Sequence, residues 1–236
     1  MASPNNDHLH HREPASMAGI ATHDSVIELV KLHLEQPCRI ADLAAGEGAF
    51  SVRLRDLGHT VVAVDGFSEN WKVPDIDLRV QDLDSEFACE LVRIDHKFDA
   101  VVAIEIVEHL ENPFRFVREC AKLLKPGGLL FITSPNVESV HSRLIFFYTG
   151  RLNAFGAYET VRPAHITPIF KWKMDMLLAE ANFEYVREEF DEQIFAAGAN
   201  LRVRLSEKIA RLIAPFVKGS KGGSGRIVVA RLKPRN

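Results

Sequence analysis

Short apolar runs alternate with stretches of helical periodicity along most of this chain. Residues 39–43, 60–65, 78–81, 98–104 and 129–133 are brief and rich in β-branched or other apolar side chains, which predicts five strands. Between them, 24–34 places Val26, Ile27, Val30 and Leu34 on one helical face, with Ser25 and Glu28 at capping-box spacing. Helices are also predicted over 50–57 and 113–124, the second with Asn112 as its cap and Pro113 in a first turn where a missing N–H costs little. Lys125-Pro126-Gly127-Gly128 predicts the turn that ends it. A helix over 171–181, with Met174, Leu177, Leu178 and Ala181 on one side, precedes two last strands at 184–190 and 226–232. Strand and helix in this rhythm predict an α/β fold, a seven-stranded, mostly parallel sheet with helices on both faces.

Three stretches stand outside the rhythm. Residues 1–20 are polar, with His8, His10 and His11 clustered among prolines, and predict a flexible N-terminal arm ahead of one domain over 21–236. Residues 137–168, rich in aromatics and turn formers, fall where a substrate lid over the sheet's C-terminal edge would lie. Their aromatics Phe146, Phe147, Tyr148 and Phe155 could floor a lipid-like or aromatic acceptor site, or form a small core of their own. Residues 201–217 carry Leu205, Ile209, Leu212, Ile213 and Phe216 at helical spacing with cations between them, ahead of a Gly/Ser linker expected to be flexible.

Composition changes this picture in one respect. The net charge of −3 conceals an asymmetry: from Leu201 onward ten Lys or Arg face the single acid Glu207. An acidic body with a basic amphipathic segment suggests an anionic partner, and peripheral membrane contact through 201–217 is one reading; packing on the last strand with solvated arginines is the other. Nucleic acid is not expected, because no aromatic stripe accompanies the charge. No apolar run approaches the length of a membrane span, and the N-terminus lacks a secretory pattern. Three cysteines without metal-type spacing fit a reducing compartment, so the expected location is the cytoplasm, peripheral to the inner face of the membrane where 201–217 docks.

In an open parallel sheet, ligands bind beyond the carboxyl ends of the strands, so the loops there carry the chemistry. The first reads Asp42-Leu43-Ala44-Ala45-Gly46-Glu47-Gly48 and opens a helix, whose free N–H groups suit a negative group. Asp65 closes the second strand, 19 residues after Gly46, where an acid can accept from ribose hydroxyls. Asp82 follows the third strand and could accept from an adenine amino group. A nicotinamide fingerprint fails, since Ser51 stands where a third glycine belongs, and Asp42 before the glycines suits an ammonium group better than a pyrophosphate.

DLAAGEG (42–48), VVAVDG (61–66), Gln81-Asp82, FDAVVAIEIVEHL (98–110) and LKPGGLLFITSPN (124–136) together resemble class I S-adenosylmethionine-dependent methyltransferases, in particular ubiquinone-biosynthesis O-methyltransferases. The resemblance implies a Rossmann-like methyltransferase domain. It implies that Asp42, Ala44, Gly46 and Gly48 hold the methionine end of S-adenosyl-L-methionine, Asp65 and Gly66 the ribose, and Asp82 with Leu83 the adenine. Ala44 departs from the family's first glycine, which narrows the loop by one methyl.

Glu105, Glu108 and His109 follow the fourth strand at i, i+3 and i+4, so one helical turn would aim all three into the crevice. The same E-x-x-E-H run resembles that of the ubiquinone enzymes and of small-RNA 2′-O-methyltransferases, where it is associated with a divalent ion. In the RNA enzymes a later histidine joins, matched here by His165. The resemblance thus implies Glu105, Glu108, His109 and His165 as metal ligands, or His109 and His165 as pocket residues with His109 as base, and Glu105 also beside the cofactor. His141 and Tyr158 of the lid are candidates for acceptor contact or for plain loop packing. The expected reaction is O-methylation of a small or lipid-linked hydroxylated acceptor; an RNA 2′-O-methyltransferase and a non-catalytic nucleoside-binding module stay open as alternatives.

Overall fold

The computed structural model describes residues 14–16, 18–35, 37–161, 163–191, 201–220 and 222–234. His8, His10 and His11, and with them most of the expected arm, lie outside the described residues. Strands β1 (Arg39–Leu43), β2 (Thr60–Asp65), β3 (Asp77–Val80), β4 (Phe98–Ala103), β5 (Leu124–Pro135), β6 (Phe183–Phe190) and β7 (Gly225–Leu232) form one sheet in the order β3-β2-β1-β4-β5-β7-β6. Only β7 runs antiparallel to its neighbours among these pairings. The seven-stranded, mostly parallel sheet expected from the sequence is therefore present.

Alternation along the central strands divides the core between two faces. Ile40 of β1 and Ala100 and Val102 of β4 pack with Val26 and Val30 of α1 (Ile20–His33) and with Phe50 and Leu54 of α2 (Ala49–Asp56). Ala41, Leu43, Val101 and Ala103 point the other way. They meet Leu91 of α3 (Ala88–Asp95), Phe116 and Cys120 of α4 (Pro113–Leu123) and Leu177 of α6 (Lys171–Glu180). Each large side chain so buried contributes about 1.5–3 kcal/mol of transfer free energy. Because β1 and β4 are covered on both sides, their polar ends are forced to the sheet's C-terminal edge.

The structure departs from the sequence pattern in four places, each for a tertiary reason. α1 begins at Ile20, ahead of the Ser25–Glu28 spacing, because Thr22 and His23 are buried and Thr22 Oγ1 donates to Asp191 Oδ2 at 2.9 Å. β5 starts at Leu124 and runs through the expected Lys125–Gly128 turn as a bulge, with Leu124 opposite Phe98 and Leu129 opposite Ala100. Gly128 is required there, since a Cβ would fall 2.9 Å from the Asp99 and Lys125 carbonyl oxygens. α3 is two turns long with only Ala88, Leu91 and Asp95 buried, too brief a repeat to register as a helical period. The insert at 137–168 contains a regular helix, α5 (Val140–Thr149), capped by Ser139 Oγ, which accepts from Ser142 N at 3.1 Å.

α7 (Leu201–Ile213), followed by the 3₁₀ turn Ala214–Phe216, confirms helix over the basic segment. The Gly/Ser stretch after it is held rather than loose. Asn136 Nδ2 donates to Ser220 Oγ at 2.7 Å and to the Gly222 carbonyl at 2.8 Å, and Asn136 N donates to the Ser224 carbonyl at 2.7 Å. Buried Asp191 then accepts from Ser224 N (2.8 Å), Ser224 Oγ (3.0 Å) and Gly225 N (2.7 Å) as well as from Thr22. One carboxylate thus joins α1, the end of β6 and the start of β7. Asp191→Ala leaves those buried donors unsatisfied and is expected to cost about 3 kcal/mol, read as a lower urea midpoint with unchanged slope.

Candidate functional site

β1 leaves the sheet through Ala44 to Gly48, where the backbone turns left-handed three times, with φ +59° at Ala44, +58° at Gly46 and +98° at Gly48. That alternation keeps side chains out of the turn and is sewn to the end of β2. Gly46 N donates to Asp65 Oδ2 at 2.8 Å, Phe67 N to Asp65 Oδ1 at 3.1 Å and Ala45 N to the Val64 carbonyl at 3.2 Å. A Cβ on Gly48 would fall 2.5 Å from Val73 Cγ2 and 2.9 Å from the Trp71 ring, so glycine is required there. At Ala44 the methyl is tolerated at a strain of about 1 kcal/mol. The chain ahead of α1 reaches this turn too: Ala15 N donates to Glu47 Oε2 at 2.7 Å, and Lys72 pairs with the same carboxylate at 2.7 Å.

Asp42, the last polar group of β1, is buried, and Ser51 Oγ donates to its Oδ2 at 2.5 Å. Burial pushes this carboxyl up to about 7 against the Ser51 hydrogen bond, and Asp65 adds to the rise. Ser51, noticed in the sequence only as a missing glycine, is the hydroxyl that serves the acid. Asp82 is exposed beyond β3 and opens a turn by accepting from Asp84 N at 3.0 Å. Leu83 corrects the expectation in part: its side chain belongs to the core beside Phe87, so only its backbone is free to meet a ligand. Gly66 is exposed, and a Cβ there would meet nothing nearer than the Gln81 carbonyl at 3.9 Å, so no steric need for glycine exists at that position.

The acidic run after β4 is a turn, not the helical turn expected. Glu105 has φ +50°, and its carboxyl swings to β5, where Thr133 Oγ1 donates to Oε1 at 2.9 Å and accepts from Glu105 N at 2.8 Å. Glu105 therefore stands outside the ligand group, although it still faces Glu108. Burial, opposed by the Thr133 hydrogen bond, raises its carboxyl to about 7. Glu108 is fully buried, no N–H or hydroxyl donor among the described residues reaches its carboxyl, and the Glu105 carboxyl is the group it faces; burial, then Glu105, holds its pKa well above the usual range. Thr133 was not singled out from the sequence; a hydroxyl ending the apolar run of β5 was its only signal.

His165 arrives from the insert because the loop bearing it is stitched to the same turn. Ile166 N and Thr167 N both donate to the Glu108 carbonyl at 2.9 Å, and Thr167 Oγ1 donates to the Leu110 carbonyl at 2.6 Å. The His109 and His165 rings meet edge-on at 4.6 Å, and Phe155 packs edge-on against His165 at 5.5 Å. His109 Nδ1 lies 3.1 Å from the Ala164 carbonyl and His165 Nδ1 2.6 Å from the Ala154 carbonyl. A carbonyl only accepts, so each Nδ1 carries a proton, and in the neutral tautomer that leaves the lone pair on Nε2. Burial, then the neighbouring His165, lowers the His109 pKa, against the Ala164 hydrogen bond.

One ligand-type atom from each of Glu108, His109 and His165 falls within 4.8 Å of the others. A buried carboxylate without donors beside two imidazoles with free Nε2 is a donor set that fits a divalent cation. His141 is buried on α5 and Tyr158 is exposed; neither is in this group. Phe146, Phe147 and Tyr148 are exposed and supply neither the acceptor floor nor the miniature core considered from the sequence.

Residues 41–132 match the family described as methyltransferase domain. Over 102 residues the chain is 31% identical to the ubiquinone biosynthesis O-methyltransferase of Parvibaculum lavamentivorans, covering 42% of this chain and 40% of that protein. Over 120 residues it is 36% identical to the enzyme of the same name from Xanthomonas axonopodis pv. citri, covering 47% and 48%. The matched stretch thus spans less than half the length of these curated relatives. A crystal structure of a SAM-dependent methyltransferase from Archaeoglobus fulgidus superposes with TM-score 0.59 at 20% identity over 89% of this chain and 94% of that one. At that identity the likeness establishes the fold.

Two stability measurements check this geometry. Ala44→Gly relieves the left-handed strain and is expected to stabilise the protein by a few tenths to about 1 kcal/mol in denaturant unfolding. For Asp42, the folded chain binds a proton between pH 3.8 and about 7 that the unfolded chain releases, so its burial destabilises the protein progressively as pH rises through that window. Asp42→Asn should match the parent at acid pH and exceed it by up to about 4 kcal/mol above neutrality. Parallel curves for the two proteins across that range would contradict the buried, uncompensated carboxyl.

Proposed function

We propose that this chain, whose residues 41–132 form a methyltransferase domain, moves a methyl group from S-adenosyl-L-methionine to a hydroxyl oxygen of a small or lipid-linked acceptor. Glu108, His109 and His165 would hold a divalent ion for that reaction. The observation that carries the reading is the buried Glu108 carboxyl, which receives no N–H or hydroxyl donor among the described residues and faces a second acid, Glu105, beside two histidines whose Nδ1 atoms are already committed. A lone general base would not need this set: one histidine hydrogen-bonded to a carboxylate would do, whereas both Nδ1 atoms here go to backbone carbonyls and Glu108 faces Glu105. The names of the relatives, ubiquinone biosynthesis O-methyltransferases, support an oxygen acceptor.

On the donor side, Asp42 meets the ammonium of the methionine moiety, and the left-handed turn at Ala44, Gly46 and Gly48 lets the backbone approach it. Asp65 keeps lone pairs for ribose hydroxyls while holding Gly46 N, Gly66 offers an open edge, and Asp82 with the Leu83 backbone faces the adenine. Transfer is an in-line displacement: the acceptor oxygen bonds the methyl carbon as the carbon–sulfur bond breaks, the electron pair stays on sulfur, and the hydroxyl proton is released to water. The sulfonium is already activated, so the protein's task is to hold oxygen, carbon and sulfur collinear away from water. When bound, the divalent ion would supply Lewis acidity that lowers the acceptor hydroxyl's pKa. Glu105, fixed by Thr133, faces Glu108 and raises its pKa.

Asp42→Asn is expected to weaken S-adenosylhomocysteine binding by at least about tenfold in calorimetry, in spite of its greater stability. Glu108→Gln should leave that binding intact, abolish the rise in melting temperature that Mn²⁺, Mg²⁺ or Zn²⁺ gives the parent, and slow transfer about a hundredfold or more. Transfer is scored as methyl label from S-adenosyl-L-methionine entering a fractionated cell extract. Undiminished transfer in chelator removes the ion from the proposal; label that ribonuclease abolishes moves the acceptor to RNA; nucleoside binding with no label in any fraction makes the chain a binding module.

A further inference from the structure

Among the described side chains of α7, Ala210 is buried and Ile213 partly covered, whereas Leu205, Ile209 and Leu212, at i, i+4 and i+7, are exposed. Leu212 is 74% exposed, and Phe216 in the following 3₁₀ turn is 87% exposed. α5 packs against α7 and ends in the same way, with Phe146, Phe147 and Tyr148 exposed, Phe147 by 88%. Arg143 of α5 fixes the chain beyond α7 by donating from Nη1 to the Lys218 carbonyl at 2.8 Å. A helix that merely rests on its own protein buries its large apolar side chains; this pair displays them.

The charges around the face choose between occupants. Lys208, Arg211 and Lys218 are exposed among those apolar residues, within the segment where ten cations meet one acid. A second copy docked face to face would set cations against cations. An anionic lipid surface accepts both groups, the aromatics and leucines at the acyl boundary and the cations at the headgroups. Soluble anions would satisfy the cations and leave the apolar side chains in water.

We propose that α5 and α7 together form a docking surface for a membrane rich in anionic lipid. The consequence for catalysis rests on the transferase reading above and deepens it by naming where the acceptor is met. The insert that begins with α5 continues into the loop carrying His165: Asn153 N donates to Ser142 Oγ of α5 at 3.2 Å, and the next residue, Ala154, holds His165 Nδ1. Seating α5 at the headgroups therefore brings the His165 loop to the surface from which a lipid-linked hydroxyl would enter.

The test is flotation of the full chain with vesicles of phosphatidylcholine alone or of phosphatidylcholine with phosphatidylglycerol. The protein should float with the anionic vesicles and not with the neutral ones. Combined Phe147→Ser, Leu212→Ser and Phe216→Ser should lower partition about a hundredfold, and Lys208→Glu with Lys218→Glu about twenty-five-fold, at roughly fivefold per cation. Added salt should reproduce the second effect in the parent. Every substituted side chain is exposed and outside the site, so melting temperature and S-adenosylhomocysteine binding should match the parent's. Equal flotation on both vesicle types, or none on either, overturns the proposal. So does a parent that doubles in mass with concentration while the triple variant stays monomeric, which would make the face an interface between copies. Flotation is scored separately from nucleoside binding, so failure of the transferase reading is distinguishable from failure of the docking surface.

Discussion

In the crevice, the carboxyl groups of Asp42 and Glu108 are buried without a paired cation among the described residues, and the crevice is organised around that deficit. Each is unfavourable in the empty chain because burial penalises charge, and neither is relieved by a lysine or arginine as Asp95 is by Arg79 and Arg39. What relieves them in this reading comes from outside: an ammonium group for one, a divalent ion for the other. On the proposed reading, binding would restore stability at these two points, which lie at or just beyond the ends of adjacent strands, β1 and β4. The sheet makes this possible, since strands buried on both faces leave only their carboxyl ends for polar groups.

The same economy governs the backbone. Left-handed φ at Ala44 and Glu105 marks the first residue beyond β1 and the second beyond β4, where the chain must leave the sheet sharply and present N–H groups or a carboxyl to the crevice. Each strained residue is held by a neighbouring strand. Asp65 at the end of β2 receives Gly46 N, and Thr133 of β5 both donates to and accepts from Glu105. Strand register therefore decides where donor turn and acidic turn stand. The insert is bound by equally specific links, two backbone bonds to the Glu108 carbonyl, which fix His165 without a packed core of its own.

Chemistry and surface point the same way. A hydroxylated acceptor attached to a lipid must be lifted to a water-excluded site, and the segment that contributes His165 also contributes the exposed aromatics of α5. Asn136, Arg143 and Asp191 tie α5, the stretch after α7 and the start of β7 to the sheet, so the outer face is built on the frame that carries the site. Arg226, buried at the start of β7 between Glu138 and Glu188, reinforces that junction. No helix among the described residues is long and apolar enough to cross a membrane.

The sheet was legible because burial on two faces writes itself as apolar runs: 98–104 and 129–133 could hardly be anything but central strands. The glycine turn with its acids was legible for a similar reason, since left-handed turns and terminal carboxylates leave residue types that few other arrangements require. Ser51 and Thr133 could not be read as partners of Asp42 and Glu105, because a hydroxyl's partner depends on which strand or helix end lies opposite. The fate of Glu105 was equally hidden: spacing placed it with Glu108 and His109, and only a left-handed residue facing β5 sends it elsewhere. Amphipathic spacing in 201–217 was visible in the sequence, but which side of that helix faces water was not. Periodicity specifies the presence of a stripe; the neighbours against which it packs, fixed by long-range contacts, determine the direction in which it points.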